Sequence, residues 1–255
     1  MFRNRSKWLR QAIFLLLIRR PEPAPEAHHD EGQPKPGMRR EMAEGLRYVL
    51  GHAYLKNIAA CTATANLFGN VAGAVLLVYA VRELGMSAQA IGVALSIGAT
   101  GALLGAVLSN RVSARLGVGP TIVAFAGVGG LALLPFALVP AGAPVPVLVA
   151  LAALSSFVAG VSVVVYNVAQ VSLRQAITPT RMQGRMNATM RWFVWGTIPI
   201  GALLGGVLGS VLGVREAILI GALGEIASVL PVLFSPVRQI RAMPVPAGDD
   251  PQAAP

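Results

Sequence analysis

The chain has 255 residues, 55% of them hydrophobic and only 13% charged, with a mean hydropathy of +0.63. Soluble domains carry about a quarter charged residues, and the apolar residues here come in blocks too long for core helices, so composition excludes a soluble domain and predicts an all-α, polytopic membrane protein. The net charge of +10 does not mark a nucleic-acid binder, because the basic residues gather at the ends of apolar runs, and the single cysteine, Cys61, excludes an internal disulfide or a cysteine metal cluster.

Residues 1–20 contain an apolar run of only seven residues, Ala12 to Ile18, flanked by arginines. At 1.5 Å per residue it covers about a third of the hydrocarbon thickness, so it reads as a non-spanning anchor or the remnant of a truncated helix. Residues 21–38, rich in proline and charge, read as a flexible linker. Over 39–53 the apolar positions Met42, Leu46, Val49 and Leu50 recur at helical spacing opposite Arg40, Glu41, Glu44 and Arg47, which predicts an amphipathic helix on the membrane surface. A six-helix bundle is expected over 54–236, with spans near 55–81, 88–110, 119–140, 145–172, 189–212 and 215–235, followed by a disordered tail over 237–255.

Counting Lys and Arg orients the bundle. Nineteen of the 21 lie at the N-terminal region, at Arg111 and Arg115, between Arg174 and Arg191, and in the tail, leaving Arg82 and Arg215 on the other side. The positive-inside rule then puts both termini in the cytoplasm, with the chain multi-pass in the plasma membrane.

No phosphate-binding loop, metal-binding helix or nucleophile elbow is present in the sequence, so no enzyme, cofactor or metal is expected. Polar residues inside apolar runs are the candidates for function, since an unpaired polar group there is expensive. Asn66 and Asn70 share one face of the first span and can hydrogen-bond a substrate or a facing helix. Tyr166, Asn167 and Gln170 stand near the end of the fourth span, where a gate, a helix cap or a substrate contact all fit. Glu225 falls in the middle of the sixth span, where a carboxyl group is either carried neutral, as a proton-coupling group or structural donor, or paired with a cation such as Arg191 or Arg174. Gly101, Gly105 and Ser109, and again Gly201, Gly205 and Gly209, recur every fourth residue, as helix-packing stripes do.

The stretch from Tyr166 to Gly206 resembles the tenth and eleventh helices of major facilitator superfamily transporters, most closely the exporter branch that includes enterobactin and macrolide efflux proteins. The resemblance is carried by Gln175, Thr178, Pro179, Arg181, Gly184 and Arg185, then Gly196, Pro199, Gly201, Gly205 and Gly206. Gly101 to Gly117 resembles the loop motif between the second and third helices of each half, with Arg111, Arg115 and Gly117 matching and Asn110 where the stronger version is acidic. The likeness runs from about Arg39 to Arg241 and corresponds to the second half of such a transporter.

The resemblance implies six transmembrane helices forming one half of a major facilitator fold, built from two inverted three-helix repeats, with substrate held between two halves. It implies proton-coupled efflux of small amphiphilic molecules such as siderophores or drugs, with the lipid bilayer and a second six-helix half, self or separately encoded, as partners. Asn66, Asn70, Tyr166, Asn167 and Gln170 would line the cavity, Glu225 with Arg191 would couple, and Arg111, Arg115, Arg174, Arg181 and Arg185 would serve the cytoplasmic gate. The glycines would give sliding contacts. The alternative expectation is a truncated, transport-inactive remnant or a membrane interaction module.

Overall fold

In hydrocarbon every backbone N–H and C=O must be paired within the protein, and a long apolar segment achieves this alone only as a helix. The computed structural model describes residues 38–140 and 142–244; the segment 1–20, the linker up to residue 37, and the tail from 245 lie outside the described residues. Helix α1 is Met38–Gly51. The first span is α2, Leu55–Val78, prolonged by a wider turn over Tyr79–Glu83. Next come α3, Ala88–Leu116, α4, Val118–Leu138, α5, Val145–Ala176, and α6, Thr180–Val211. The sixth span joins α7, Val214–Ala227, to the short α8, Leu230–Leu233, and a 3-10 turn follows over Pro236–Gln239. All six spans are long and apolar enough to cross a membrane.

The helix boundaries differ from the expected ones at the arginine-rich end. Hydropathy placed Arg174, Arg181 and Arg185 in a loop, whereas α5 runs to Ala176 and α6 begins at Thr180, with only residues 177–179 between them. Arg174 therefore sits on the last turn of α5, and Arg181 and Arg185 on the first turns of α6. The reason is length: 32 residues rise about 48 Å against a hydrocarbon core of about 30 Å, so these helices project beyond the lipid. Hydropathy marks where the oil ends, not where helical hydrogen bonding ends.

The packing is internally symmetric. α3 lies along α5 and α6 along α2; α4 packs on α5 and α7 on α2; and α4 meets α7. Exchanging α2, α3 and α4 for α5, α6 and α7 leaves this pattern unchanged. The equivalent turns share a backbone shape too, since Gly117 between α3 and α4 has φ 93° and ψ 154°, and Gly213 between α6 and α7 has φ 114° and ψ 154°. A positive φ favours glycine, which explains one at each equivalent corner.

The two small-residue stripes are the same device in the two repeats. A Cβ on Gly101 or Gly105 would run into the carbonyls of Phe157 and Val161 on α5, and one on Gly201 or Gly205 into those of Leu67 and Val71 on α2. Gly209 faces Val75 Cγ1, at 2.9 Å from where its Cβ would stand. Gly196, Gly206 and Gly184 differ: a Cβ there would meet nothing within 4 Å, so they are not packing glycines within this bundle.

α1 is held against the projecting start of α6. Gly45 lies against the Arg185 carbonyl and the Thr189 hydroxyl, and the Arg185 guanidinium reaches Glu44 at 2.8 Å and Glu41 at 3.4 Å. The acidic flank of α1 thus faces the bundle, while Met42, Leu46 and Leu50 are exposed. The expected free tail from residue 237 also needs correction. Val237 is fully buried, Gly119 donates its N–H to the Ile240 carbonyl at 2.8 Å, and Arg241 reaches the Leu116 carbonyl at 3.3 Å, so Val237 to Arg241 cover the start of α4.

Candidate functional site

The polar residues of the spans converge because two of the helices that carry them repeat small polar side chains every four residues. α2 presents Thr62, Asn66 and Asn70, and α5 presents Ser162 and Tyr166 with Asn167 beside them. Together with Glu225 of α7 and the start of the α4 face at Phe125, these line a cavity of about 220 Å³. Five of the residues singled out from the sequence, Asn66, Asn70, Tyr166, Asn167 and Glu225, are brought together here.

Each asparagine of α2 donates one amide hydrogen back along its own helix, Asn66 to the Thr62 carbonyl and Asn70 to the Asn66 carbonyl, both at 2.8 Å. Among the described residues neither bonds a facing helix, and both side chains line the cavity. Tyr166 is buried, and its hydroxyl donates to Thr62 Oγ1 at 2.7 Å, since Thr62 gives its own hydrogen to the Ile58 carbonyl, while lying 3.4 Å from Cys61 Sγ. Asn167 is exposed on the open side of the cavity. Ser162 donates to the Phe125 carbonyl, tying α5 to α4 at the same level.

Glu225 enters between three helices where two glycines leave room for it. A Cβ on Gly129 of α4 would stand 3.2 Å from Oε1, and one on Gly69 of α2 would stand 3.8 Å from Oε2. Among the described residues no cation lies within ion-pair distance of this carboxylate. The expected pairing with Arg191 does not form, because Arg191 is exposed on α6 and stacks its guanidinium 5.1 Å over the Trp195 ring. A positive group on an aromatic face is stable there and does not need a distant acid.

The remaining candidates lie outside the cavity. Gln170 is one turn further along α5, buried, and donates to Asn167 Oδ1 at 3.3 Å. Arg174 is buried another turn on. Arg111 and Arg115 are exposed at the end of α3, Arg181 is exposed at the start of α6, and Arg185 is engaged by Glu41 and Glu44. Gly117 makes the corner between α3 and α4. No cluster of three metal-ligating side chains occurs among the described residues.

Sequence reasoning missed Thr62, Ser162 and the two flanking glycines. Thr62 and Ser162 were findable, since each stands four residues before a polar residue already singled out. Gly69 and Gly129 carried no such signal, because only the packed structure shows what their missing side chains make room for.

A six-helix bundle with inverted internal symmetry and a polar, carboxyl-bearing cavity among its spans has the build of a membrane transporter. A sequence profile of the Major Facilitator Superfamily matches residues 58–253, and the chain belongs to that superfamily. No curated protein and no solved structure matches the chain. The chain is thus a multi-pass membrane transporter of the major facilitator type, its six spans forming one half of that fold, with the lipid bilayer and a small-molecule substrate as partners.

Proposed function

We propose that the chain forms one wall of a proton-coupled exporter of small amphiphilic molecules, in the branch that handles siderophores or drugs. The observation that carries the reading is Glu225, a carboxyl group without a cation among the described residues, set at the edge of a cavity lined by amides and hydroxyls. Such a group can carry a proton in and release it when substrate or water alters its surroundings. Asn66, Asn70, Asn167 and Tyr166 would orient the polar end of a substrate whose apolar part lies toward the second wall. Gln170 is a positioning residue in this reading, acting through its hydrogen bond to Asn167.

The second wall is a second six-helix half, self or separately encoded. The exposed apolar faces of α3 and α6, including Leu103, Val107, Leu203 and Val207, favour it, because α3 and α6 are the least buried of the six spans and occupy equivalent places in the two repeats. The concentration of Lys and Arg at one end supports cytoplasmic termini in a plasma membrane. Arg111, Arg115 and Arg181 would then flank the cytoplasmic mouth, and Arg185 would hold α1 across it.

The test is uptake of ethidium into everted membrane vesicles under an imposed proton gradient. Uptake by the unaltered protein and its loss in E225Q, at equal expression and with unchanged ethidium binding, is the expected result. Gradient-driven uptake that survives E225Q removes Glu225 from the mechanism. Uptake that needs no proton gradient removes the coupling.

A further inference from the structure

The corner where the sixth span ends against the start of α4 holds a second, open cavity that the transport reading does not use. It measures about 570 Å³ and is lined by Arg238, Gln239 and Arg241 on one side and by Pro120, Val123 and Ala124 of α4 on the other. Backbone contacts fix its shape. Val237 is fully buried, the Gly119 N–H reaches the Ile240 carbonyl, and a Cβ on Gly117 would stand 3.1 Å from Arg241 Cα. Arg241 Nη1 donates to the Leu116 carbonyl at 3.3 Å, which leaves most of its guanidinium N–H groups for other partners. Gly119 and Thr121 already use their N–H groups and Pro120 has none, so a ligand here is held by the side chains and not by the start of the helix.

No carboxylate lines this cavity. The five carboxylates of the described residues lie elsewhere: Glu41 and Glu44 on Arg185, Glu225 among the spans, and Glu83 and Glu216 at the opposite end of the bundle. Arg111 and Arg115, exposed at the end of α3, add positive charge at the same end. Guanidinium groups are planar forks of donors that match phosphate oxygens, and the Gln239 amide adds a neutral donor, so the side chains select a phosphate.

Depth selects what carries the phosphate. α4 has 21 residues and rises about 32 Å, close to a hydrocarbon thickness of about 30 Å, so its first turn stands at the boundary where lipid phosphates lie. Pro120, Val123 and Ala124, spaced i, i+3 and i+4, share one face and extend the apolar side of the cavity inward from that boundary. A free phosphate would leave this apolar side bare, whereas an acyl chain covers it.

We propose that this corner binds an anionic phospholipid of the leaflet at the arginine-rich end. Its phosphate is held by Arg238, Arg241 and Gln239, and its acyl chain lies along Pro120, Val123 and Ala124. A lipid that binds only the folded corner stabilises it by mass action, and so fastens the end of the sixth span to the start of α4.

The test is native mass spectrometry of the full chain in mild detergent, titrated with phosphatidylglycerol, phosphatidylcholine or inorganic phosphate. Phosphatidylglycerol should be retained, and its binding should weaken about tenfold or more in R238Q/R241Q. R40Q/R47Q, which removes the same charge from exposed positions on α1, should change it much less. Equal weakening by the two double substitutions would make the attraction a general effect of net charge and overturn the proposal. Phosphatidylcholine retained as tightly, or inorganic phosphate displacing phosphatidylglycerol, also overturns it. Retention that appears only after D249N/D250N would make the acidic end of the chain the occupant, with the same consequence. A124W fills the apolar side and leaves both guanidinium groups in place, so it too should weaken phosphatidylglycerol; unchanged binding there rules out the lipid. Circular dichroism of each variant separates lost binding from lost fold. No readout involves transport, so the outcome stands apart from the functional reading.

Discussion

Replacing Gly205 by alanine probes the packing that defines the bundle. The added Cβ would meet the Val71 carbonyl, with Val71 Cα at 3.0 Å, and both belong to backbone that no side-chain rotation can move aside. α2 and α6 must then separate, and overpacking of this kind costs about 1–3 kcal/mol. The neighbouring Gly206 is the internal control, because its Cβ would meet nothing within 4 Å, and alanine there gains helix propensity of up to about 1 kcal/mol. Cys61, the single cysteine and fully buried, reports unfolding through its reaction with a thiol-sensitive dye during heating in detergent. At about 2–4 °C per kcal/mol for a chain of this size, G205A should lower the midpoint by roughly 2–12 °C, while G206A leaves it unchanged or raises it. G105A, the counterpart in the other repeat, whose Cβ would meet the Val161 carbonyl, should behave as G205A does. Equal shifts for G205A and G206A would refute the packing argument.

Three further outcomes follow from the structure. R185Q removes both ion pairs to α1, and because these groups are part-exposed the loss of stability should stay below about 1 kcal/mol, but amide exchange within Met38–Gly51 should rise and lose its salt dependence. Y166F deletes the hydroxyl that donates to Thr62, which keeps its bond to the Ile58 carbonyl, so a circular-dichroism melt should show a loss of about 0.5–1.5 kcal/mol and no collapse of the fold. His52, at the turn between α1 and α2, has its pKa lowered from 6.5 by burial, and its Nδ1 accepts the Tyr54 N–H at 3.2 Å. The unfolded chain therefore binds the proton more tightly, so the contribution of His52 is present above pH 6.5 and is lost as pH falls through the lowered folded pKa. Exchange at the Tyr54 amide should accelerate on acidification in the unaltered protein and not in H52Q.

The architecture was legible because hydropathy blocks, arginine placement and four-residue glycine spacing each report a single helix or a pair. The cavity was legible in part for the same reason: Asn66 with Asn70, and Tyr166 with Asn167, already share helix faces, and Glu225 stands out in its apolar run. What the sequence could not convey was which side chains answer each other across helices. Arg191 looked like a partner for Glu225 because both lie in or near apolar runs, yet Arg191 satisfies itself locally on Trp195. Gly206 and Gly205 are indistinguishable as letters, and only the direction in which each faces makes one a packing residue. The reach of α5 and α6 beyond the hydrocarbon was hidden because polar ends of helices and polar loops have the same hydropathy.

Ligand protection inside the cavity tests the central claim most directly. The thiol introduced by N167C, in a C61A background, is labelled with a maleimide in everted vesicles with and without saturating ethidium, beside L203C on the exposed face of α6. Ethidium should slow labelling at position 167 and leave position 203 unchanged. Labelling at 167 that ethidium does not slow would contradict the assignment of this cavity as the substrate site.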